Sequence, residues 1–494
     1  MPERCHELLG QRSTCKVKTS PCGYDVSDFG GTPRIRACPE RSLCPAEMLE
    51  SLLRIENIYW SGETFRSAIE VDRDAVLGGM EVPLRGRFAS ASVRREGGVT
   101  LTRDRLGLNK LFFAIHESGR VLLANYLIDL VNRGVPFESI YSVPAGHLQD
   151  LDPQREVLTL TRYVDPDAGT DTPYAGPEEV ARDIRAQLEV WFSRFATQFG
   201  QRKICVCLSG GLDSGIIAAL TKKYFSDVTA YTYAFSEPGA PTSEDAMSAE
   251  RLAEFFRLPL RSVPASSEDV MAVMDDALCY GQDWRDFNVH RAIANEILAR
   301  AIRHDAETSG SDIPVLVLTG DLANEFLADY TPVSYEGREY YRLPAIMPAD
   351  LRLILIRGLD AGDREVGVFN HHGLDVLQPY GFVVDQYLRL PGSFLAGERS
   401  KQALARAMAG DLLPDFVFDR VKVRAQMSSS TQPTGILPVL IQHGYDAGWL
   451  RSAFCRLFRV EDEAFLNRFI RAGRYRLVNR LSGPRSLRNG YIAA

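Results

Sequence analysis

No apolar run in this chain reaches about 18 residues, the length a membrane-crossing helix needs. Nor does its start, Met1-Pro2-Glu3-Arg4, show the basic and then apolar pattern of a secretory signal, so a cytoplasmic location without membrane contact is expected. A basic excess is missing too. The 57 Lys and Arg face 64 Asp and Glu, and the net charge of −7 gives nucleic acid no electrostatic reason to be the main partner. Five of the nine cysteines, Cys5, Cys15, Cys22, Cys38 and Cys44, fall early in the chain, yet no two of them make the Cys-x2–4-Cys pair of a typical zinc site. With His6 they could ligate zinc or iron; the alternative is an extension whose thiols stay reduced, as in cytosolic proteins. Cys205 and Cys207 alternate within an apolar run, where burial as small apolar side chains is the expected role.

With 494 residues the chain exceeds what one core can serve, and two or three domains are expected. Residues 1–50 read as a Cys-containing extension. Residues 51–165 are dominated by short β-like runs at 68–71, 87–93, 110–115 and 120–124, punctuated by Gly, Asp and Asn as in an antiparallel meander. A polar linker at 165–173 follows, from which no core can be built. From 175 to 494 helices alternate with buried strands. Pro177-Glu178-Glu179 opens a helix with apolar residues at Val180, Ile184, Leu188 and Trp191, close to a period of 3.6. Strands are expected at 204–208, 228–235 and 313–318, which argues for a parallel sheet with ligands at the carboxyl ends of its strands.

The turn Ser209-Gly210-Gly211-Leu212-Asp213-Ser214 follows the first of these strands and runs directly into helical Ile216-Ile217-Ala218-Ala219-Leu220. A turn on a helix N-terminus offers unpaired backbone N–H groups and the positive end of the dipole to a polyphosphate. Gly210 and Gly211 let the backbone approach, and Ser209 and Ser214 add hydroxyl donors. Asp213, a carboxylate beside anionic phosphate, makes sense mainly with a divalent cation between them. The lysine of the kinase and GTPase P-loop is missing. A plain strand-to-helix connection is the alternative. A second acidic turn, Thr319-Gly320-Asp321-Leu322-Ala323-Asn324-Glu325, ends the third strand and is expected to face the first across one crevice.

These two turns resemble the synthetase domain of the asparagine synthetases and the related β-lactam and carbapenam synthetases. Upstream, Gly86-Arg87-Phe88-Ala89, the stretch from Arg103-Asp104-Arg105 to Phe112-Phe113, and Ser142-Val143-Pro144-Ala145-Gly146-His147 resemble that family's N-terminal domain. Downstream, Gly362-Asp363-Arg364, the stretch from His372 to Tyr380, and that from Ser400-Lys401 to Met408 match in order. The fold this resemblance implies is α/β: an Ntn-hydrolase-like αββα sandwich lacking its nucleophile, then a doubly wound parallel-sheet ATP-pyrophosphatase (PP-loop) synthetase domain. The reaction it implies is AMP-forming amide-bond ligation. A small-molecule carboxylate attacks the α-phosphorus of ATP, pyrophosphate leaves, and an amine then displaces AMP, as in natural-product biosynthesis. ATP and Mg2+ are the implied cofactors, and a homodimer stays open as the assembly. Leu208, Ser209, Gly210, Gly211, Asp213, Ser214, Thr232 and Gly320 become nucleotide contacts; Asp213, Asn324 and Asp321 become metal ligands; Lys422 becomes the lysine held over the phosphates and the intermediate.

Departures from the family pattern carry their own expectations. Asn324 stands at the family's magnesium-binding Asp, and a neutral amide is a weaker ligand for a hard cation. Asp321 replaces the Glu of glutamine-dependent members and the Tyr of β-lactam synthetases, and Asp363 aligns near the Glu of the β-lactam Tyr/Glu pair. Asp321 and Asp363 could share a proton and give a general base; alternatively Asp363 is a loop residue and Asp321 a metal ligand. Lys401 is a weaker candidate than Lys422 for such a lysine, since Glu398-Arg399-Ser400-Lys401 also suits an exposed helix start; Trp284 suits a core, and Trp284, Arg285 and Asp286 lie where relatives shape the substrate pocket. Adjacent His371 and His372 cannot both point into one site, and the Arg-rich end at 468–494 reads as a solvated face. Two other functions remain open: a glutamine- or ammonia-dependent amidotransferase, and a pseudoenzyme scaffold, which Asn324 favours.

In the glutamine-dependent members an N-terminal Cys uses its own α-amine as base, whereas here position 2 is Pro2 and the nearest thiol, Cys5, is preceded by four residues. Glutamine is therefore predicted not to be the nitrogen donor. Turnover with amide-labelled glutamine should leave the product unlabelled; label in the product would restore the amidotransferase.

Overall fold

The computed structural model describes residues 48–67, 84–94, 97–152, 157–164, 176–330, 332–343, 345–357, 362–395, 400–420, 423–463 and 466. The early cysteines, the β-like run at 68–71, the linker, Lys422 and the Arg-rich end lie outside them.

Between 48 and 164, two four-stranded sheets enclose a shared apolar layer. One has the order Leu49–Leu52, Val121–Ala124, Phe112–Ile115, Tyr141–Ser142; the other Val157–Arg162, His147–Asp152, Val99–Arg103, Ala89–Val93. Alternate residues point into the layer, Val99 and Leu101 from one sheet meeting Val121 and Leu123 from the other. The arrangement departs from a pure antiparallel meander, because Leu49–Leu52, partly within the expected extension, pairs parallel with Val121–Ala124. Helix Leu127–Asn132 and the 3-10 turn Phe137–Ser139 represent the helical layers among the described residues.

The larger half holds five parallel strands in the order Leu260–Ala265, Val228–Phe235, Lys203–Cys207, Val315–Leu318, Asp375–Leu377. Their near-continuous burial is what a sheet covered on both faces demands. Helices Leu212–Tyr224 and Glu244–Phe256 connect the first strands, and Asp286–Thr308 returns the chain across the sheet before Val315–Leu318. The fold is thus the doubly wound α/β arrangement that the alternation of strands and helices predicts. The strands carrying the two acidic turns are neighbours, with Val206 opposite Leu318.

The two halves share one core, which runs from Ile55 and Trp60 through Trp191 to Phe454. Trp60 packs against Trp191, Phe195 and Phe382 at centroid distances of 5.5, 5.6 and 5.6 Å, so the apolar stripe of helix Pro177–Phe199 is spent on this junction. Buried Arg87 spans the same junction. Its Nη1 donates to Glu56 O (2.6 Å) and Asn109 Oδ1 (3.1 Å), its Nε to Val376 O (3.1 Å), and its Nη2 pairs with Asp375 (3.3 Å). Arg85 and Arg105 both reach Asp385. Removing one partner from such a buried network leaves the others unsatisfied. Arg87→Met is accordingly predicted to destabilise the protein by about 3 kcal/mol, measured by urea denaturation, and a change below about 1 kcal/mol would mean that the junction does not depend on it.

Candidate functional site

The phosphate-loop strand continues one bond past its end, Leu208 N donating to Tyr231 O (2.8 Å), and then turns sharply. Gly210 sits at φ +71, and a Cβ there would lie 2.5 Å from Ser248 Cβ and 2.7 Å from Ala249 N, so only glycine lets helix Glu244–Phe256 press on the loop. Ser248 Oγ donates to Gly210 O (2.8 Å), Ser209 N donates to Ser214 Oγ (3.1 Å), and the two hydroxyls lie 3.0 Å apart. Helix Leu212–Tyr224 starts from Gly211 with no side chain capping it. Its first-turn N–H groups and dipole therefore face a cavity lined by Leu208, Ser209, Gly211, Asp213, Ser214, Thr232 and Gly320. Gly210 holds the loop's shape from behind rather than lining it.

The second acidic turn touches this loop backbone to backbone, since a Cβ on Gly320 would be 2.6 Å from Ser214 N. Leu322, fully buried, holds the turn at φ +87, a conformation that a branched side chain adopts only when its surroundings enforce it. Asp321 does not reach Asp213. Its Oδ1 lies 3.6 Å from Arg291 Nη2, and its buried Oδ2 has no hydrogen-bond partner among the described residues. Instead, Lys401 Nζ donates to Asp213 Oδ2 and Asn324 Oδ1 and lies 3.4 Å from Asp329 Oδ2. Burial opposes the charge of Lys401, but Asp213 and Asp329 outweigh it and hold its pKa above the ordinary lysine value. Of the two readings of Lys401, the exposed helix start is thus the one the structure does not bear out. A signal existed: Lys401, Leu404, Ala405 and Met408 share one stripe of helix Ser400–Ala409, and that stripe is buried.

The three sequence-assigned metal ligands do not converge. Two of them hold an ammonium and the third faces a guanidinium, and among the described residues no group of three His, Cys, Asp or Glu side chains is placed to hold a metal. The residues present do not fit a divalent ion at that point.

Behind the cavity lies a buried charge cluster on the π-helical segment Gly362–Gly367, a geometry often found at functional sites. Arg364 pairs with Glu325 and with Glu365 (3.2 Å) and donates to Asn288 Oδ1 (2.9 Å); Arg291 lies 3.8 Å from Glu365; Tyr330 OH donates to Glu325 Oε1 (2.6 Å). The expected Asp321–Asp363 pair is not formed. Asp363 points the other way, accepting from Gln282 Nε2 (3.0 Å) and pairing with Lys110 of the N-terminal half at 3.4 Å. Glu365 takes the place beside Asp321 that was assigned to Asp363.

Residues 196–362 match the family model of asparagine synthase. The match spans about a third of the chain, and this stretch is similar to the asparagine synthases. That family is one of ATP-dependent carbon–nitrogen ligases, consistent with the loop, sheet and cavity above. Among solved structures, the NMN synthetase from Francisella tularensis aligns with 63% of this chain and 98% of its own at 14% identity, with a TM-score of 0.29 that carries no argument. No curated protein matches the chain. No helix among the described residues is long and apolar enough to cross a membrane.

Several sequence candidates take no part in lining this cavity. His371 stacks on Tyr280 at 3.3 Å, burial holding it near pKa 4, and His372 meets Glu296 (2.6 Å); neither lines the cavity. Trp284 packs on Phe454 (4.8 Å) as core, and Arg285 pairs with Asp283, while the next aromatic, Phe287, does line the cavity. Burial pushes the Cys205 thiol up to about 12, consistent with an inert role. Lys422 lies outside the described residues, but Arg420 and Val423 on either side of it line the cavity. Sequence reasoning also missed Arg291, Arg364 and Arg424. Arg424 stands 5.9 Å from the ring centre of Phe287 and 5.7 Å from that of Tyr341.

Two guanidiniums, Arg291 and Arg364, face three carboxylates, Asp321, Glu325 and Glu365, so the cluster has room for one proton. Burial first, and Asp321 second, push Glu365 well above the ordinary carboxylate range. The folded protein thus keeps a proton that the unfolded chain releases. That stabilisation is complete below the unfolded value, about 4.3, and is lost as pH rises through the folded pKa. Glu365→Gln keeps the shape without the titration. Between pH 4.5 and the folded pKa, the wild type is predicted to lose up to about 1.4 kcal/mol per pH unit relative to this variant in urea denaturation; parallel curves would place the proton elsewhere.

Proposed function

We propose that the protein is an AMP-forming ligase that adenylates a small-molecule carboxylate and couples it to an amine. The observation that carries this reading is the uncapped N-terminus of helix Leu212–Tyr224 with the ammonium of Lys401 held beside it. In the first step a carboxylate oxygen bonds to the α-phosphorus of ATP, and the bond from that phosphorus to the bridging oxygen breaks. Pyrophosphate leaves with its charge met by the first-turn N–H groups, Ser209, Ser214 and Lys401, donors fixed before the reaction starts. In the second step the amine nitrogen bonds to the acyl carbon, and AMP departs with the oxygen it gained. The amine's proton goes to Asp321, a cavity-lining carboxylate whose Oδ2 has no hydrogen-bond partner among the described residues.

Lys422 is the second cation of this reading, carried by the family resemblance alone. The carboxylate and amine are small molecules of specialised metabolism in this proposal, which rests on the likeness to the β-lactam synthetases. Assembly as a homodimer and a cytoplasmic location belong to the same expectation.

Carboxylate-dependent exchange of labelled pyrophosphate into ATP tests the first step, with a panel of small carboxylic acids as substrates. Exchange is expected with at least one acid and should be lost in Asp213→Ala, which removes the anchor of Lys401 at the loop. Exchange that persists in Asp213→Ala, or labelled phosphate entering ATP instead, contradicts the proposal, and no exchange with any acid favours a scaffold.

A further inference from the structure

Three groups converge on the Lys401 ammonium from three places in the chain. Asp213 stands in the first turn of the phosphate-loop helix, Asn324 in the second acidic turn, and Asp329 just past the short helix Ala323–Leu327. An ammonium has three N–H donors and no acceptor, so three oxygens match its capacity. The amide of Asn324 presents its oxygen, the only orientation in which it can accept from such a group.

Charge explains why an amide stands there. Three carboxylates around one monovalent cation would leave two negative charges uncompensated beside a polyphosphate. With Asn324 neutral, one is left. A hard divalent ion has the opposite preference, for a third carboxylate over an amide. The remaining acidic candidate, Asp321, faces Arg291. Lys401 is also held in place, its side chain 9% exposed, on a helix packed against both Pro177–Phe199 and Leu212–Tyr224.

We propose that Lys401 is a built-in cation: its ammonium permanently occupies the position between the two acidic turns where the asparagine synthase resemblance puts a protein-held magnesium ion. The departure at Asn324 is then the partner of Lys401 and not an impairment of the site. The inference rests on the ligase reading only in taking the loop as the place where ATP phosphates lie. The geometry around Nζ stands without it.

Binding of Mn2+, followed by electron paramagnetic resonance, tests this without turnover. Nucleotide-free Asn324→Asp is expected to bind Mn2+ no better than the wild type, because the added carboxylate is taken up by Lys401. The double variant Lys401→Met, Asn324→Asp is expected to bind Mn2+ at least about tenfold more tightly, since three carboxylates then surround a vacated cation position. Wild type that already binds Mn2+ as tightly as the double variant would overturn the proposal, as would tightening of the same size in Asn324→Asp alone. Failure of the double variant to tighten, with its melting transition still cooperative, would overturn it as well. If the double variant does not fold, the comparison of wild type with Asn324→Asp still decides. Binding of the non-cleavable analogue α,β-methylene-ATP is measured in parallel; its absence would remove the ligase reading while the nucleotide-free result still judges Lys401.

Discussion

Two acidic turns at the ends of neighbouring strands repel each other, and in this protein they are nevertheless in backbone contact. Gly320 makes the contact possible, because any side chain there would collide with Ser214 N. Fixed cations make it tolerable: Lys401 ties Asp213 to Asn324 across the contact, and Arg291 and Arg364 answer Asp321, Glu325 and Glu365 behind it. The first-turn N–H groups of the loop helix, aimed into the cavity before any ligand arrives, suit an anionic group there. The cost of burying so many charges is offset only while each keeps its partner, which makes the cluster sensitive to single substitutions.

Among the described residues the N-terminal half contributes no side chain to the cavity, yet it fixes where the charge cluster lies. A Cβ on Gly362 would come within 2.4 Å of Leu108 O, and Lys110 pairs with Asp363 in the next position. Arg364 and Glu365 follow on the same π-helical segment and enter the cluster. Asp104 shapes the supporting loop, its buried carboxylate accepting from the N–H groups of Phe88, Leu106, Leu108 and Asn109. The charge cluster at the cavity is thus built against the N-terminal sandwich.

The parallel sheet and phosphate loop were legible because both depend on local pattern: short apolar runs, helix periodicity, and glycines where a strand meets a helix. Helix Pro177–Phe199 buries Val180, Ile184, Leu188 and Trp191, the four positions its spacing singles out. What the sequence hid were partnerships set by long-range packing. Lys401 bonds a residue 188 positions away, and Arg364 one 39 away, so no local pattern announces either. Asp363 was misplaced for a related reason. In a π-helical turn successive side chains diverge differently from those of an α-helix, and the carboxylate meeting Asp321 is Glu365, two residues later.

The central claim is that the cavity directs a carboxylate oxygen onto the α-phosphorus of ATP. A single turnover with an 18O-labelled carboxylic acid, followed by phosphorus NMR of the products, tests it most directly. The account predicts AMP carrying one 18O and unlabelled pyrophosphate. Formation of ADP with the label in inorganic phosphate would show attack at the γ-phosphorus and contradict it.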